Sequence, residues 1–126
     1  MKRNVRLRSQ TEFQRVRRLG KSFTHPLIVL LVMPEEQRGV KIGVAAGKAV
    51  GSAVKRNRAK RRLRAVLDEF VPNLQPGYNL IVIAREAMNR ASYCELRTAL
   101  RDVLIRAQLL KESNEFPGDS NARVST

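Results

Sequence analysis

The chain has 126 residues, of which 25 are Lys or Arg and 11 are Asp or Glu, and its net charge is +14 at pH 7. This length suits one domain with a modest core, and so basic a chain is typical of proteins that bind nucleic acids or anionic membranes. It lacks an apolar run of the about twenty residues that a membrane-spanning helix needs, and its single cysteine excludes an internal disulfide. The basic N-terminus also lacks the apolar segment of a secretory signal, so we expect a cytoplasmic protein.

The N-terminal region predicts a basic arm followed by one helix. Residues 1–8 are expected to be a flexible arm. Ser9 and Glu12 have the spacing of a capping box, which predicts the start of a helix, and Gly20 predicts its end. This helix has few apolar residues, so it must pack on another element to be stable.

Apolar and β-branched segments predict three clear strands and one short additional strand. The clear strands are expected at residues 27–33, 40–46 and 78–85, and residues 21–24 form the short candidate. The segment 78–85 is almost wholly apolar, which indicates a central strand. In segment 40–46, one face carries the small residues Gly43 and Ala45. That face has room for a packed helix or for a bound strand of ligand.

The most distinctive segment is a basic helix that is predicted to begin near Ser52 or Ala53 and to end before Pro72. Seven of the ten residues from 55 to 64 are Lys or Arg, and none is acidic. Apolar residues nevertheless recur at helical spacing, which predicts a buried stripe: Ala59, Leu63, Val66, Leu67 and Phe70. Charges this dense repel one another, so a polyanion must relieve the repulsion or the core must outweigh it. The alternative is a solvated surface helix, but such faces usually mix the two signs of charge.

The last predicted helix follows a second capping box, formed by Ser92 and Glu95. One of its faces is apolar: Leu96, Leu100, Val103, Leu104, Ala107 and Leu110. Residues 111–126 are polar and are expected to be a disordered tail, which leaves residues 9–110 as a single RNA-binding domain. The predicted order, α-β-β(-β)-α-β-α, indicates an α+β fold in which helices and a mostly antiparallel sheet form a two-layer α/β sandwich.

The sequence offers no set of residues suited to catalysis or to binding a metal. The acidic residues are scattered, and His25 and Cys94 have no partner at a spacing typical of acid–base or zinc sites. We therefore expect no catalytic residue, no metal ligand and no activity of the protein alone. A membrane-surface helix would need large apolar residues opposite its charge, and no DNA-binding motif is present. A nucleic acid is therefore the expected partner, and DNA is harder to exclude than a membrane.

Residues 53–64, with the sequence AVKRNRAKRRLR, closely resemble the RNR signature of the bacterial ribonuclease P protein component. The segments EFQRV, KIGVAAGKAVGSAV and LIVIAR are also similar to this family, so the resemblance covers roughly residues 5 to 110. It implies the subunit of a ribonucleoprotein endoribonuclease, paired one-to-one with a catalytic RNA that removes the 5′ leader of precursor tRNA. It implies Mg²⁺ bound mainly by the RNA, which carries out the catalysis. It also implies a left-handed βαβ crossover, like that of a ribosomal protein domain.

The resemblance and the charge pattern together predict two binding surfaces. The catalytic RNA is expected to contact Lys48, Lys55, Arg56, Asn57, Arg58, Lys60, Arg61, Arg62 and Arg64. The leader is expected in a cleft with Phe13, Arg17 and Leu31. The family often has aromatic residues at the last two positions, so we expect Arg17 to replace stacking by contacts with the RNA backbone.

The alternative is a ribosomal or RNA-chaperone type of protein without a catalytic RNA partner.

Overall fold

The computed structural model describes residues 5–111, so residues 1–4 of the predicted arm and residues 112–126 of the predicted tail lie outside the described part. The described chain forms three helices and four strands: α1 (Gln10–Leu19), β1 (Lys21–Thr24), β2 (Ile28–Pro34), β3 (Val40–Ala46), α2 (Ala53–Phe70), β4 (Tyr78–Ala84) and α3 (Tyr93–Arg106). Three short 3₁₀ turns cover Lys48–Val50, Val71–Asn73 and Glu86–Arg90. The sequence predicted all seven main elements, but it did not predict these turns.

The strands form one mixed sheet in the order β1-β2-β4-β3. β2 pairs antiparallel with both β1 and β4, whereas β3 and β4 are parallel. β4 is therefore internal, as its apolar sequence predicted. Because β3 and β4 are parallel and α2 joins them, α2 is the crossover of a βαβ unit. The α+β class is confirmed, and the left-handedness of the crossover stays a prediction.

The helices lie on opposite faces of the sheet. Adjacent residues of a strand point to opposite faces, and in β2 Leu30 belongs to the core shared with α2 and α3. Its neighbour Leu31 belongs to a smaller core with Val16 of α1. The sheet and the helices α2 and α3 thus form the two layers of the predicted sandwich. The helix α1 packs on the opposite face of the sheet.

The apolar stripe of α2 is buried as predicted. Ala59, Leu63, Val66 and Leu67 are buried, and Phe70 is half-buried. The Ser52 hydroxyl caps the helix by accepting from the amide of Lys55 at 3.3 Å. Burying one Leu or Val side chain contributes about 1.5–3 kcal/mol, whereas a like-charge pair on a helix costs only about 0.2–0.5 kcal/mol. The core therefore outweighs the repulsion on the outer faces.

Gly20, at the end of α1, is required because the main chain approaches it closely. It does not have the left-handed conformation that glycine often adopts at the end of a helix. Gly20 has φ −72°, which any residue can adopt. A Cβ at this position would lie only 2.5 Å from the carbonyl oxygen of Val16 and 3.2 Å from that of Val32. Close approach of the main chain requires glycine here. At the other end of α1, the Ser9 hydroxyl accepts from the amide of Glu12 at 3.3 Å.

The helix α3 begins with the predicted capping box. The Ser92 hydroxyl accepts from the Glu95 amide at 3.0 Å, and the Glu95 carboxylate accepts from the Ser92 amide at 2.8 Å. Glu69 at the end of α2 accepts from Tyr93 Oη and, at 2.7 Å, from Arg97 Nε of α3. The Tyr93 hydroxyl, followed by the charge of Arg97, lowers the pKa of Glu69. These contacts join the two helices at the surface.

Both edges of the sheet are contacted by other parts of the chain. Arg6 bridges Ile42 in parallel, and the Leu7 amide donates to the Ile42 carbonyl at 2.9 Å. The predicted arm therefore packs on β3 from Val5 onward. At the β1 edge, Arg106 Nη1 donates to the Thr24 carbonyl at 2.9 Å. None of the helices described across residues 5–111 is long and apolar enough to cross a membrane.

Candidate nucleic-acid interface

The outer faces of α2 form a cationic surface that we call the α2 surface. It consists of Lys55, Arg56, Asn57, Arg58, Lys60, Arg61 and Arg64, all of which are exposed or half-buried. No acidic residue occurs between Arg38 and Leu67 in the sequence. Within residues 5–111, the side chains of Arg58, Lys60 and Arg61 have no ion-pair or hydrogen-bond partner. Their charges are therefore available to an external anion.

Two arginines of the α2 surface are partly withdrawn from water. The Nε atoms of Arg56 and Arg64 are buried without a hydrogen-bond partner in the described chain. Burial lowers the pKa of Arg64, and the nearby charge of Arg6 lowers it further. Arg6 thus extends the cationic surface beyond α2, which the sequence reasoning missed. No periodic pattern in the N-terminal arm indicates the bridge to Ile42 that brings Arg6 there.

The turn before α2 places Lys48 next to the α2 surface. Lys48 is exposed in the Lys48–Val50 turn, and Gly51 follows with φ +129°, a conformation that requires glycine. A Cβ on Gly51 would lie 2.8 Å from Cδ of Lys55, so the aliphatic stem of Lys55 packs over this glycine. The first turn of α2 contains no acidic residue, and its partial positive charge adds to that of the lysines.

Arg62 differs from the other predicted RNA-binding residues because its guanidinium group binds carbonyls of the protein itself. Its Nη1 donates to the carbonyl of Met88 at 2.9 Å, and its Nη2 donates to the carbonyl of Ala91 at 2.5 Å. Burial, and then the charge of Arg58, lower its pKa. Arg62 therefore lies near Arg58, but unlike Arg58 it has hydrogen-bond partners within the protein.

The predicted cleft lies on the face of the sheet that carries α1. The ring of Phe13 rests on Gly43 of β3, where a Cβ would lie 2.4 Å from Cε2 of the ring. The small residue noted in the sequence thus makes room for a packed helix. Arg17 is exposed on α1, whereas Leu31 is only 8% exposed and is part of the core below. Phe13 and Arg17 can contact a ligand in the cleft. Leu31 lies in the core beneath the cleft and supports the sheet there.

An ion pair fixes the orientation of α1 on the sheet. Arg15 Nη1 of α1 lies 3.0 Å from Glu35 Oε1 in the turn after β2. Val16, on the adjacent side of the helix, is fully buried against the same face. These contacts hold Phe13 and Arg17 in place at the cleft.

The residues described from 5 to 111 do not fit a metal ion held by the protein. No three His, Cys, Asp or Glu side chains among them come together as metal ligands. His25 Nδ1 accepts from the Leu27 amide at 3.0 Å, and Cys94 is exposed on α3. Glu86 is paired with Arg90, whose hydrogen bonds lower its pKa.

Comparison with known proteins identifies the family. The family model described as Ribonuclease P matches residues 1–108. The chain belongs to the ribonuclease P protein family. A ribonuclease P protein component of Herpetosiphon aurantiacus is 38% identical over 109 residues, covering 86% of this chain and 89% of the relative. That of Symbiobacterium thermophilum is 40% identical over 113 residues, covering 88% and 97%.

Solved structures of the ribonuclease P protein family share the fold. The RNase P protein of Staphylococcus aureus matches with a TM-score of 0.76 at 25% identity, over 85% of this chain and 98% of that chain. The resemblance noted in the sequence is thereby confirmed at the level of the family, and the α+β architecture at the level of the fold.

Proposed function

We propose that this protein is the protein subunit of ribonuclease P and acts in the maturation of the 5′ end of tRNA. It binds the catalytic RNA through the α2 surface and the 5′ leader of precursor tRNA through the cleft beside α1. Membership of the ribonuclease P protein family supports this role most directly. The unpaired cations of α2 support RNA as the partner.

Binding of the catalytic RNA is an electrostatic process in this proposal. The guanidinium groups of Arg58 and Arg61 clamp phosphate oxygens, and Lys60 adds a point charge on a neighbouring side of the helix. Phosphates placed along α2 relieve the mutual repulsion of these side chains. Each phosphate contact contributes about 0.7–0.9 to the slope of log K against log salt concentration. Four to six contacts, as an order-of-magnitude estimate, would therefore weaken binding by about one to three powers of ten over a three- to fourfold rise in salt concentration.

Binding of the leader combines stacking with charge. Phe13 offers a half-buried ring on which a base can stack, and such a contact contributes about 1–3 kcal/mol. Arg17 has no partner in residues 5–111 and lies on the exposed side of α1, where it can contact the backbone of the leader. Leu31 supports the sheet below. A single aromatic ring and one arginine therefore replace a cleft with several aromatic residues.

The chemistry belongs to the RNA in this proposal. Mg²⁺ held by the RNA supplies an activated water and stabilises the leaving oxygen. The residues of this chain bind and orient the two RNA molecules, one protein to one catalytic RNA, and none of them is assigned a catalytic role. A cytoplasmic location agrees with the single free cysteine.

The test is reconstitution with bacterial ribonuclease P RNA and precursor tRNA at low Mg²⁺ concentration. The protein is expected to accelerate 5′ cleavage over the RNA alone. The variant Arg58→Ala/Arg61→Ala/Arg64→Ala should lose most of this acceleration. The control Arg97→Ala/Arg101→Ala/Arg106→Ala changes the net charge equally on α3 and should retain it.

Two outcomes would contradict the proposal. RNA binding without any acceleration of cleavage would favour the ribosomal or RNA-chaperone type of protein. An equal loss of acceleration in both triple variants would mean that net charge, and not the α2 surface, carries the effect.

A further inference from the structure

A short segment after β4 connects α2 to the turn that carries Lys48. The segment comprises residues 86–91, and we call it the bracket. Arg62 of α2 donates to its carbonyls of Met88 and Ala91 at 2.9 and 2.5 Å. On its other side, Nδ2 of Asn89 donates to the carbonyl of Val50 at 2.7 Å. These hydrogen bonds join three segments that are distant in the sequence.

One side chain of the bracket and one side chain of the turn are buried in the same core. Met88 is fully buried and Val50 is 2% exposed, and both belong to the larger core. The turn itself is short: the amides of Val50 and Gly51 donate to the carbonyls of Gly47 and Lys48 at 3.1 and 3.0 Å. Gly47 and Gly51 flank the turn. Because glycine allows many backbone conformations, the sequence of the turn alone restricts its shape only weakly. The contact from Asn89 therefore has a large part in fixing its shape.

The geometry of Arg62 indicates why arginine is needed at this position. Its two terminal nitrogens point to two different carbonyls, which a planar fork of donors can satisfy at once. A lysine has one nitrogen on a flexible stem and cannot bond both carbonyls in this geometry. Since both terminal nitrogens donate within the protein, Arg62 has fewer donors left for a phosphate than Arg61 has.

We propose that Arg62 and Asn89 are positioning residues, which through the bracket hold the Lys48–Val50 turn in the conformation that binds the catalytic RNA. This inference rests on the proposed function. It changes the role predicted for Arg62 from a contact with RNA to support of a contact made by Lys48. Arg61, the adjacent residue with an unpaired charge, provides a matched comparison.

The first test uses the free full-length protein and needs no RNA. Amide hydrogen exchange of Val50 and Gly51 is measured in Arg62→Ala, Asn89→Ala and Arg61→Ala. Loss of the hydrogen bonds to the bracket should accelerate exchange about tenfold or more, and Arg61→Ala should leave it unchanged. Asn89→Ala removes one hydrogen bond at a half-buried site and keeps the test decisive if Arg62→Ala unfolds. Unchanged exchange in Asn89→Ala would overturn the proposal.

The second test separates positioning from charge. Arg62→Lys keeps the charge but should bind ribonuclease P RNA as weakly as Arg62→Ala, whereas Arg61→Lys should bind more tightly than Arg61→Ala, because its charge still attracts phosphate. Lys48→Ala should weaken binding less in the Arg62→Ala background than in the wild type. Wild-type binding by Arg62→Lys, or additive effects of Lys48→Ala and Arg62→Ala, would overturn the positioning role. If the wild type bound no ribonuclease P RNA, the proposed function would fail, and exchange would still decide whether the bracket holds the turn.

Discussion

Replacing Gly43 by alanine would move the ring of Phe13 away from the sheet. The added Cβ would lie 2.4 Å from Cε2 of Phe13, while ordinary contact begins at 3.4 Å, so the edge of the ring must retreat by about 1 Å. The backbone of Gly43 does not have a positive φ, so alanine fits the main chain. The perturbation therefore acts on Phe13 and leaves the course of β3 unchanged.

The expected loss of stability is small, and the expected loss of leader binding is larger. Overpacking costs about 1–3 kcal/mol, and the better strand propensity of alanine offsets about 0.5–1 kcal/mol of it. A net loss of about 0–2.5 kcal/mol would lower the Tm of such a domain by at most about 20 °C. A displaced Phe13 loses a stacking contact of about 1–3 kcal/mol, or about fivefold to a hundredfold in affinity for the leader.

The assay compares the affinity of the reconstituted holoenzyme for precursor tRNA with that for mature tRNA. Gly43→Ala should lower the ratio of the two affinities, as Phe13→Ala should. Gly39→Ala is the control, because a Cβ there meets no atom within 4 Å. In the Phe13→Ala background the clash is absent, so Gly43→Ala should cost less stability there than in the wild type, while the ratio stays low. An unchanged ratio in both single variants would refute the assignment of Phe13 to leader binding.

Three further predictions concern α2. Leu63→Ala should cost about 2–5 kcal/mol in denaturant unfolding, because Leu63 is fully buried; a cost below about 1 kcal/mol would contradict the buried stripe. Arg61→Ala should reduce the slope of log K for RNA binding against log salt concentration by about 1, because one phosphate contact is lost. The circular dichroism spectrum should be unchanged. Because Tyr93 and then Arg97 lower the pKa of Glu69, its stabilisation is present above the ordinary pKa of 4.5 and is lost as the pH falls through the lower folded value. The free energy of unfolding, measured from pH 3 to 7, should therefore fall less at acidic pH in Glu69→Gln than in the wild type.

Local patterns predicted the elements of the fold well, because each depends on residues close in the sequence. Ser92 and Glu95 act on amides within one helical turn, so the capping box could be identified from spacing alone. The stripe from Ala59 to Phe70 likewise follows from the geometry of a single helix. The position of β4 inside the sheet could also be predicted, since a strand that is apolar on both faces must be covered on both.

Contacts between distant segments could not be predicted in the same way. A helical projection places Arg62 at the margin of the apolar stripe, but it cannot distinguish a phosphate from the carbonyls of residues 86–91. That segment has neither the period of a helix nor that of a strand. Arg6 and Gly20 are similar cases, because the atoms that determine their roles, in Ile42 and Val32, come from other strands.

The short edge strand β1 has a consequence for solubility once RNA is bound. Free copies of a protein with a net charge of +14 repel one another, but this repulsion is lost wherever bound RNA balances the charge. Protection against strand-to-strand aggregation must then come from the edge itself. β1 is only four residues long, Lys21 lies 5.5 Å from the centre of the Phe23 ring, and Arg106 binds the Thr24 carbonyl. A short strand with a lysine and an engaged carbonyl is a poor template for pairing, so the assembled particle keeps a safeguard that does not depend on net charge.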